Sequence, residues 1–318
     1  MTKIRPSTKL KVVSIHKLKS MTCLRKYFWR WVLNLEPRLI NTNFWYGGVL
    51  GAGFESLLLG KNPEKAMNTE SKRRLSKHLV EGTLEDEIRL QRRLISAFIA
   101  QAKKHPDVKR MKLGRTQEKF AVTLKDSELL FCGTPDAEGT YRRRPMLFEI
   151  KTAGQVNAAY LDSLAFDKQV HGYTYARRLR KKSVLPECCY CIFRKPQKRI
   201  KRGQTIDEFV EEIKKDLAKR PEFYFIFHKF RLGHLTVSEV GADIERLASI
   251  LKGLYEAMSE NEILDPHNWP KQESKCFDYR GCEYLQLCKN PRRWELYLRF
   301  FQQREMLYEK EKQELKGD

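Results

Sequence analysis

Long hydrophobic runs are missing from this sequence, and no stretch approaches the ~20 apolar residues that a membrane-spanning helix requires. The opening Met1-Thr2-Lys3-Ile4-Arg5-Pro6 leads to no apolar signal core, so a cytoplasmic location without membrane contact is expected. A phosphate-binding loop is missing too. Gly47-Gly48-Val49-Leu50-Gly51-Ala52-Gly53 is glycine-rich, but Gly60-Lys61 lacks the glycine that should stand five residues before Gly60, and Asn62 follows it rather than Ser or Thr. That excludes a nucleotide-driven helicase motor. Histidine is scarce: the seven residues form no local metal-ligand spacing. Internal repeats and low-complexity tracts are absent.

Acidic residues are also in short supply. Forty Asp and Glu stand against 62 Lys and Arg, a formal net charge of +22 that favours polyanionic partners. The cations cluster at Lys72-Arg73-Arg74, Arg142-Arg143-Arg144, Arg177-Arg178-Leu179-Arg180-Lys181-Lys182 and Lys198-Arg199-Ile200-Lys201-Arg202. Phosphate contacts by such residues position a nucleic acid without reading its sequence. Arg142, Arg143, Arg177, Arg178, Arg180 and Lys181 are the candidate DNA contacts. Near the N-terminus Tyr27, Phe28, Trp29 and Trp31 interleave with Arg25, Lys26 and Arg30. These aromatics are expected mainly to pack their helix into the core, with stacking on unpaired bases as the alternative.

The chemistry is concentrated in Gly133-Thr134-Pro135-Asp136 and the apolar run Met146-Leu147-Phe148-Glu149-Ile150-Lys151-Thr152. Phe131 to Lys151 reads as strand, Gly/Pro turn, strand, basic turn and strand. Residues i and i+2 of a strand share a face, so Glu149 and Lys151 point together and Ile150 points to the core. Antiparallel neighbours can bring Asp136 beside Glu149. Two carboxylates at one point repel each other and attract a hard divalent cation such as Mg2+. Such an ion can activate water against a phosphoryl group, and the Lys151 ammonium can orient that water or offset developing charge.

A helical segment follows, in which Gln169 and Tyr173 stand at i and i+4 on one face, with His171 turned away from it. The order Gly-x-x-Asp, Glu-x-Lys, Gln-x-x-x-Tyr resembles the PD-(D/E)XK nucleases of the RecB-like type, and Gly51-Ala52-Gly53-Phe54-Glu55 is similar to the first helix motif of that superfamily. The resemblance implies that Glu55, Asp136, Glu149 and the backbone carbonyl of Ile150 hold Mg2+ or Mn2+. It makes Lys151 the catalytic lysine and places Gln169 and Tyr173 along the site. Gly51 departs from the pattern, since many relatives carry a histidine near that position.

Eight cysteines are present. Cys276, Cys282 and Cys288 are evenly spaced near the C-terminus and Cys23 lies far upstream, while Cys132, Cys188, Cys189 and Cys191 sit in strand-like sequence and are expected in the core. In a chain read as cytoplasmic, metal ligation is expected over disulfides. Four thiolates suit zinc or an iron-sulfur cluster, and zinc usually takes a tighter cysteine pair. The split of one early and three late cysteines resembles the 4Fe-4S staple of AddB-type and CRISPR-associated adaptation nucleases, with zinc as the alternative. The wider first spacing departs from the usual late triplet.

Periodicity predicts helices near 16–35, 46–60, 70–80, 84–104, 158–181, 206–219, 237–259 and 291–315. Strands are predicted near 117–124, 128–132, 137–141, 146–151, 187–194 and 222–231. The expected architecture is an α/β (α+β) fold with a restriction-endonuclease-like core: a mixed, mostly antiparallel sheet flanked by helices. A single nuclease domain over 1–318 would carry a helical insertion at 60–115 and a basic insertion at 195–221, with Cys23 and residues 276–288 stapling its two ends. The resemblance implies a metal-dependent DNA exonuclease acting in recombination or end processing, in a bacterial or phage-infected cell, with a single-strand annealing or recombinase protein as partner. The alternatives are a structure-specific or CRISPR-adaptation-like endonuclease and a non-catalytic DNA-binding iron-sulfur protein. Oligomeric state is not readable from these motifs.

Overall fold

The computed structural model describes residues 6–80, 83–180, 185–277, 281–290 and 292–304. The chain opens with β1 (Val12–Val13), α1 (Ile15–Lys19) and α2 (Leu24–Tyr27), then a widened helical turn over Phe28–Val32 and β2 (Leu35–Pro37). One continuous helix over 16–35 is therefore not formed. Ser20 and Thr22 hydroxyls bond back to the Lys17 and Lys19 carbonyls, and Cys23 is extended, so side-chain bonds compete with the helical ladder there. The aromatics of this segment are core: Tyr27, Phe28, Trp29 and Trp31 are buried. α3 (Thr42–Leu58) starts at Asn41, whose side chain accepts from the Asn43 and Phe44 amides. α4 (Pro63–Leu75) starts earlier than periodicity suggested, because Asn62 caps it and Pro63 occupies its first position.

α5 (Thr83–Ala102) and α6 (Pro106–Lys109) complete the helical segment, and β3 (Met111–Thr116) follows. The expected insertion at 60–115 thus ends in a strand of the central sheet. Only Met111 of β3 is buried, so the strand lacks the apolar alternation by which it could be read. β4 (Phe120–Thr123) and β5 (Leu130–Gly133) join β1 in a small separate sheet. β6 (Ala137–Tyr141) and β7 (Arg144–Ala153) form a hairpin, followed by α7 (Ala158–Leu164) and α8 (Lys168–Leu179). These two helices replace the single one expected over 158–181, because Asp167 caps a new start. β8 (Glu187–Arg194), α9 (Ile206–Lys219), α10 (Pro221–Tyr224) and β9 (Phe225–Arg231) come next, then α11 (His234–Glu256), α12 (Glu260–Leu264), α13 (Leu285–Lys289) and β10 (Phe301–Gln303).

The fold is mixed α/β. The central sheet runs β3-β6-β7-β8-β9, antiparallel except for the parallel β7–β8 pair. Alternation divides its side chains between two cores. Leu147, Cys188, Tyr190 and Ile192 pack with the N-terminal segment, α8 and α11, while Met146, Phe148, Cys189, Cys191 and Phe193 pack with α3, α5 and α9. Cys132 is also buried. At the C-terminus the expected helix over 291–315 is replaced, as far as residue 304, by a tight 3-10 segment at Trp294–Phe300 and by β10. β10 pairs antiparallel with β2, and residues 305–318 lie outside the described ones. Among the described residues no helix is long and apolar enough to cross a membrane.

The β6–β7 turn places Arg142 at φ 47° and Arg143 at φ 69°, a conformation that suits Asn-Gly better than two arginines. Replacing them by Arg142→Asn with Arg143→Gly is expected to stabilise the fold by about 1 kcal/mol. Denaturant unfolding checks this, and an unchanged midpoint would mean that Arg142, stacked 5.6 Å over the Tyr141 ring, compensates for the strain.

Candidate active site

The β6–β7 register carries Asp136 to Glu149. Ala137 pairs with Phe148, so the residue before β6 stands next to Glu149 and Ile150. Asp136 Oδ2 accepts the Ile150 amide at 2.8 Å, which pins the acid to the strand bearing Glu149 and Lys151. Just upstream, Gly133 leaves space for two rings: a Cβ there would lie 2.5 Å from Phe120 and 2.9 Å from Tyr173. Glycine at this point lets α8 approach the strands.

On the face that Leu147 shares with Glu149 and Lys151, α8 supplies the partners. Lys151 Nζ donates to Glu149 Oε1 at 2.7 Å and to Gln169 Oε1 at 3.1 Å. Gln169 Nε2 in turn donates to Glu149 Oε1 at 2.8 Å and to the Tyr173 hydroxyl at 2.9 Å. Four of the residues expected at the site form one hydrogen-bonded cluster, and Asp136 adjoins it. Burial, reinforced by the Asp136 charge, pushes the Glu149 carboxyl up to about 8. Burial also raises Asp136, against the Ile150 amide and Lys151. Burial favours the neutral amine of Lys151, but Glu149 and Asp167 outweigh it and hold the group protonated. Glu149 Oε2 is buried without a hydrogen-bond partner.

The third acid comes from the other side of the sheet. Glu55 on α3 reaches the Gln117 amide at 3.4 Å, and the same Nε2 lies 3.5 Å from Asp136 Oδ1. Gln117 bridges the two acids, and its backbone amide donates to the Asp136 carbonyl at 3.1 Å. It has φ 50°, an uncommon conformation for a residue other than glycine. Glu55, Gln117, Asp136 and Ile150 line a cleft of about 400 Å³ together with Arg73 and Arg74. Among the described residues no group of three or more His, Cys, Asp or Glu side chains is arranged to hold a metal ion. The residue types are those a hard divalent cation takes: Glu55 and Asp136 carboxylates at the cleft with the Ile150 backbone, and Glu149, on the α8 face, whose buried Oε2 lacks a partner.

Motif reading did not find Gln117, which has no flanking pattern, or Asp167. Asp167 caps α8 through the Gln169 amide, accepts from Tyr190 at 3.0 Å and pairs with Lys19 at 2.8 Å, so it sets the rotation of α8. The sequence signal for it was a cap-type residue two positions before Gln169. His171 is buried, with Nδ1 3.0 Å from the Asp167 carbonyl, off the Gln169–Tyr173 face.

The expected DNA contacts mostly lie elsewhere. Arg177 is committed to an ion pair with Glu138, and Arg178 Nη1 donates to Ser238 Oγ at 3.1 Å on α11. Arg180 is exposed, but it caps the far end of α8. Arg142 and Arg143 sit at the opposite end of the hairpin, about 20 Å from Asp136 by strand rise. Lys181 lies outside the described residues. The cations that border the cleft are Arg73 and Arg74, both hydrogen-bonded to Glu70.

Of the four end cysteines, Cys23 and Cys276 meet at the Gln272 peptide. The Gln272 amide donates to Cys23 Sγ at 3.4 Å, Cys276 Sγ is 3.9 Å from the Gln272 carbonyl, and the Cys282 amide donates to the Cys276 carbonyl at 2.9 Å. Trp29 Nε1 donates to Cys288 Sγ at 3.2 Å. Burial raises the Cys282 and Cys288 thiols; at Cys288 the neighbouring thiols add to the rise. All four are free thiols, and among the described residues they are not arranged as a group of three or more metal ligands.

Because Glu149 titrates near 8 when folded and near 4.5 when free, its ionisation costs stability progressively from pH 4.5 to 8 and fully above. In chelator, Glu149→Gln is therefore expected to melt above wild type at pH 9, with the gap closing as pH falls to 5. A gap independent of pH would contradict the raised carboxyl. No known family model matches this chain, and no curated protein matches it.

Proposed function

We propose that this protein is a metal-dependent deoxyribonuclease of the RecB-like PD-(D/E)XK type, an exonuclease acting in recombination or end processing. The observation that carries the reading is the single hydrogen-bonded cluster of Glu149, Lys151, Gln169 and Tyr173, joined to Asp136, in which one buried carboxylate oxygen lacks a partner. An Mg2+ or Mn2+ ion on Glu55, Asp136, Glu149 and the Ile150 carbonyl would supply Lewis acidity to the phosphoryl oxygen and lower the pKa of a bound water.

The side chains have separate tasks. Two of the three Lys151 N–H groups are taken by Glu149 and Gln169, which leaves one to orient the attacking water and offset charge as the phosphorus–oxygen bond breaks. Gln169 fixes the ammonium, and Tyr173 fixes the Gln169 amide so that its oxygen faces Lys151. Products would carry a 5'-phosphate and a 3'-hydroxyl. A single-strand annealing or recombinase protein is the partner this reading implies. In the same reading Cys23, Cys276, Cys282 and Cys288 hold a 4Fe-4S cluster that ties the chain ends, with zinc as the alternative metal.

Anaerobically purified protein with Mg2+ or Mn2+ is expected to degrade linear DNA and spare covalently closed circles. Lys151→Ala should lower cleavage by at least ~100-fold while DNA binding in chelator stays close to wild type. Cutting of the circle would make the protein an endonuclease, and no cutting of either would leave a binding protein. Cys282→Ser should remove brown colour and lower the melting temperature; colourless wild type with stoichiometric zinc would replace the cluster by zinc.

A further inference from the structure

Beside the catalytic cleft lies a larger cavity of about 800 Å³. The two are continuous: Gly47, Gly48 and Arg74 line both, and Thr152, next to Lys151 on β7, lines the larger one. We infer that this cavity is the subsite for the unpaired nucleotide flanking the scissile phosphate, with Arg74 at its neck and Phe44 as its base-contacting wall. The inference rests on the nuclease reading and deepens it, because it assigns where the strand leaves the cleft and which residues discriminate there.

Its neck is built where α3 presents two glycines, Gly47 and Gly48. A Cβ on Gly48 would fall 2.2 Å from the Arg74 guanidinium carbon, so only glycine lets that group lie across α3. Arg74 is held there by Glu70 at 2.6 Å and by the Phe44 carbonyl at 3.2 Å. A guanidinium fixed at the junction of two cavities is suited to a phosphate that passes between them.

The walls match a nucleotide on two counts. Phe44, in the first turn of α3, is 69% exposed although it is a large apolar ring, which offers a stacking face at the cavity. His16 lines the same cavity within electrostatic range of Lys151; burial, with Lys19, Lys151 and Arg30, lowers its pKa, so it adds a neutral hydrogen-bonding ring to the wall. The carboxylates of the cavity are already engaged: Glu283 pairs with Lys26 at 3.4 Å and Arg30 at 3.5 Å, and Glu36 accepts from Gln302 at 3.2 Å. Gln302 is neutral and leaves the Glu36 charge in place, but Arg30 lies within electrostatic range of it, so each of these carboxylates faces a cation.

Size selects the strand state. The volume falls within the roughly 300–1,000 Å³ of small-molecule sites, room for one or two nucleotide units. A duplex, whose major groove alone is about 12 Å wide, does not fit. The cavity therefore takes a single strand, and a double-stranded end must open by a base pair or more to be cut.

The test is binding of a short fluorescent oligothymidylate, single-stranded, to the full-length protein in chelator, read by anisotropy at fixed salt. Phe44→Ala is expected to weaken binding about 5- to 100-fold, the range for loss of one stacked base. Gly48→Ala, which displaces Arg74, should weaken it as well. Melting temperatures verify that both variants fold, and truncating an exposed ring has little to disturb. Wild-type affinity in both folded variants would overturn the subsite. Hydrolysis plays no part in this readout, so wild-type protein that cleaves neither linear nor circular DNA would remove the nuclease reading while the binding result continued to decide the cavity.

Discussion

A carboxyl group buried in the face of a sheet must be neutralised or partnered, and Glu149 is the buried carboxyl around which this structure is arranged. Lys151 answers it from two residues along the same strand, which is local. Gln169 answers it from α8, and that needs the helix to start at the right point, rotate to the right face and lie close to the strands. Asp167 provides the first two by capping α8 and holding Lys19 and Tyr190. Gly133 provides the third by leaving room for Tyr173. The unpartnered Glu149 oxygen is the remainder of this arrangement.

The same sheet separates two chemical layers. On the α8 side lie the protonated lysine and the amide that positions it. On the α3 side lie Glu55, the cleft and the arginines held by Glu70. Asp136 belongs to both, since it stands at the start of an inner strand, accepts the Ile150 amide and approaches Gln117. A nucleic acid reaching this point would meet anionic ligands only at the bottom of a cleft whose rim is cationic.

The two chain ends are tied by more than thiols. β10 pairs with β2, the Tyr284 hydroxyl donates to the Leu35 carbonyl at 2.7 Å, and Arg25 Nε donates to the Trp269 carbonyl at 2.8 Å. The cysteines thus converge in a region already closed by strand pairing and aromatic packing, as in Tyr27 stacked 5.5 Å from Trp269. Any metal held there would act on a preassembled junction.

Much of this was legible along the chain because it is local. Strand period two set Glu149 and Lys151 on one face, helical period set Gln169 beneath Tyr173, and the Gly/Pro and basic turns marked the strands that bring Asp136 to Glu149. Alternation also identified Cys188, Cys189 and Cys191 as core. Other features were not legible, since they depend on contacts between distant segments. Gln117 meets Glu55 across 62 residues, and β3, exposed at the sheet edge, carries no apolar pattern. The cations most conspicuous in sequence, at Arg142 and Arg177, turned out to be remote or paired, whereas Arg74 reached the cleft because Gly48 lies opposite it. By itself the sequence determined the mixed α/β class, the charge and the residues able to perform the chemistry, all properties of composition and short-range period. Which of those residues share a cleft, and which are consumed by ion pairs, was decided only when the tertiary structure set long-range distances that no local repeat encodes.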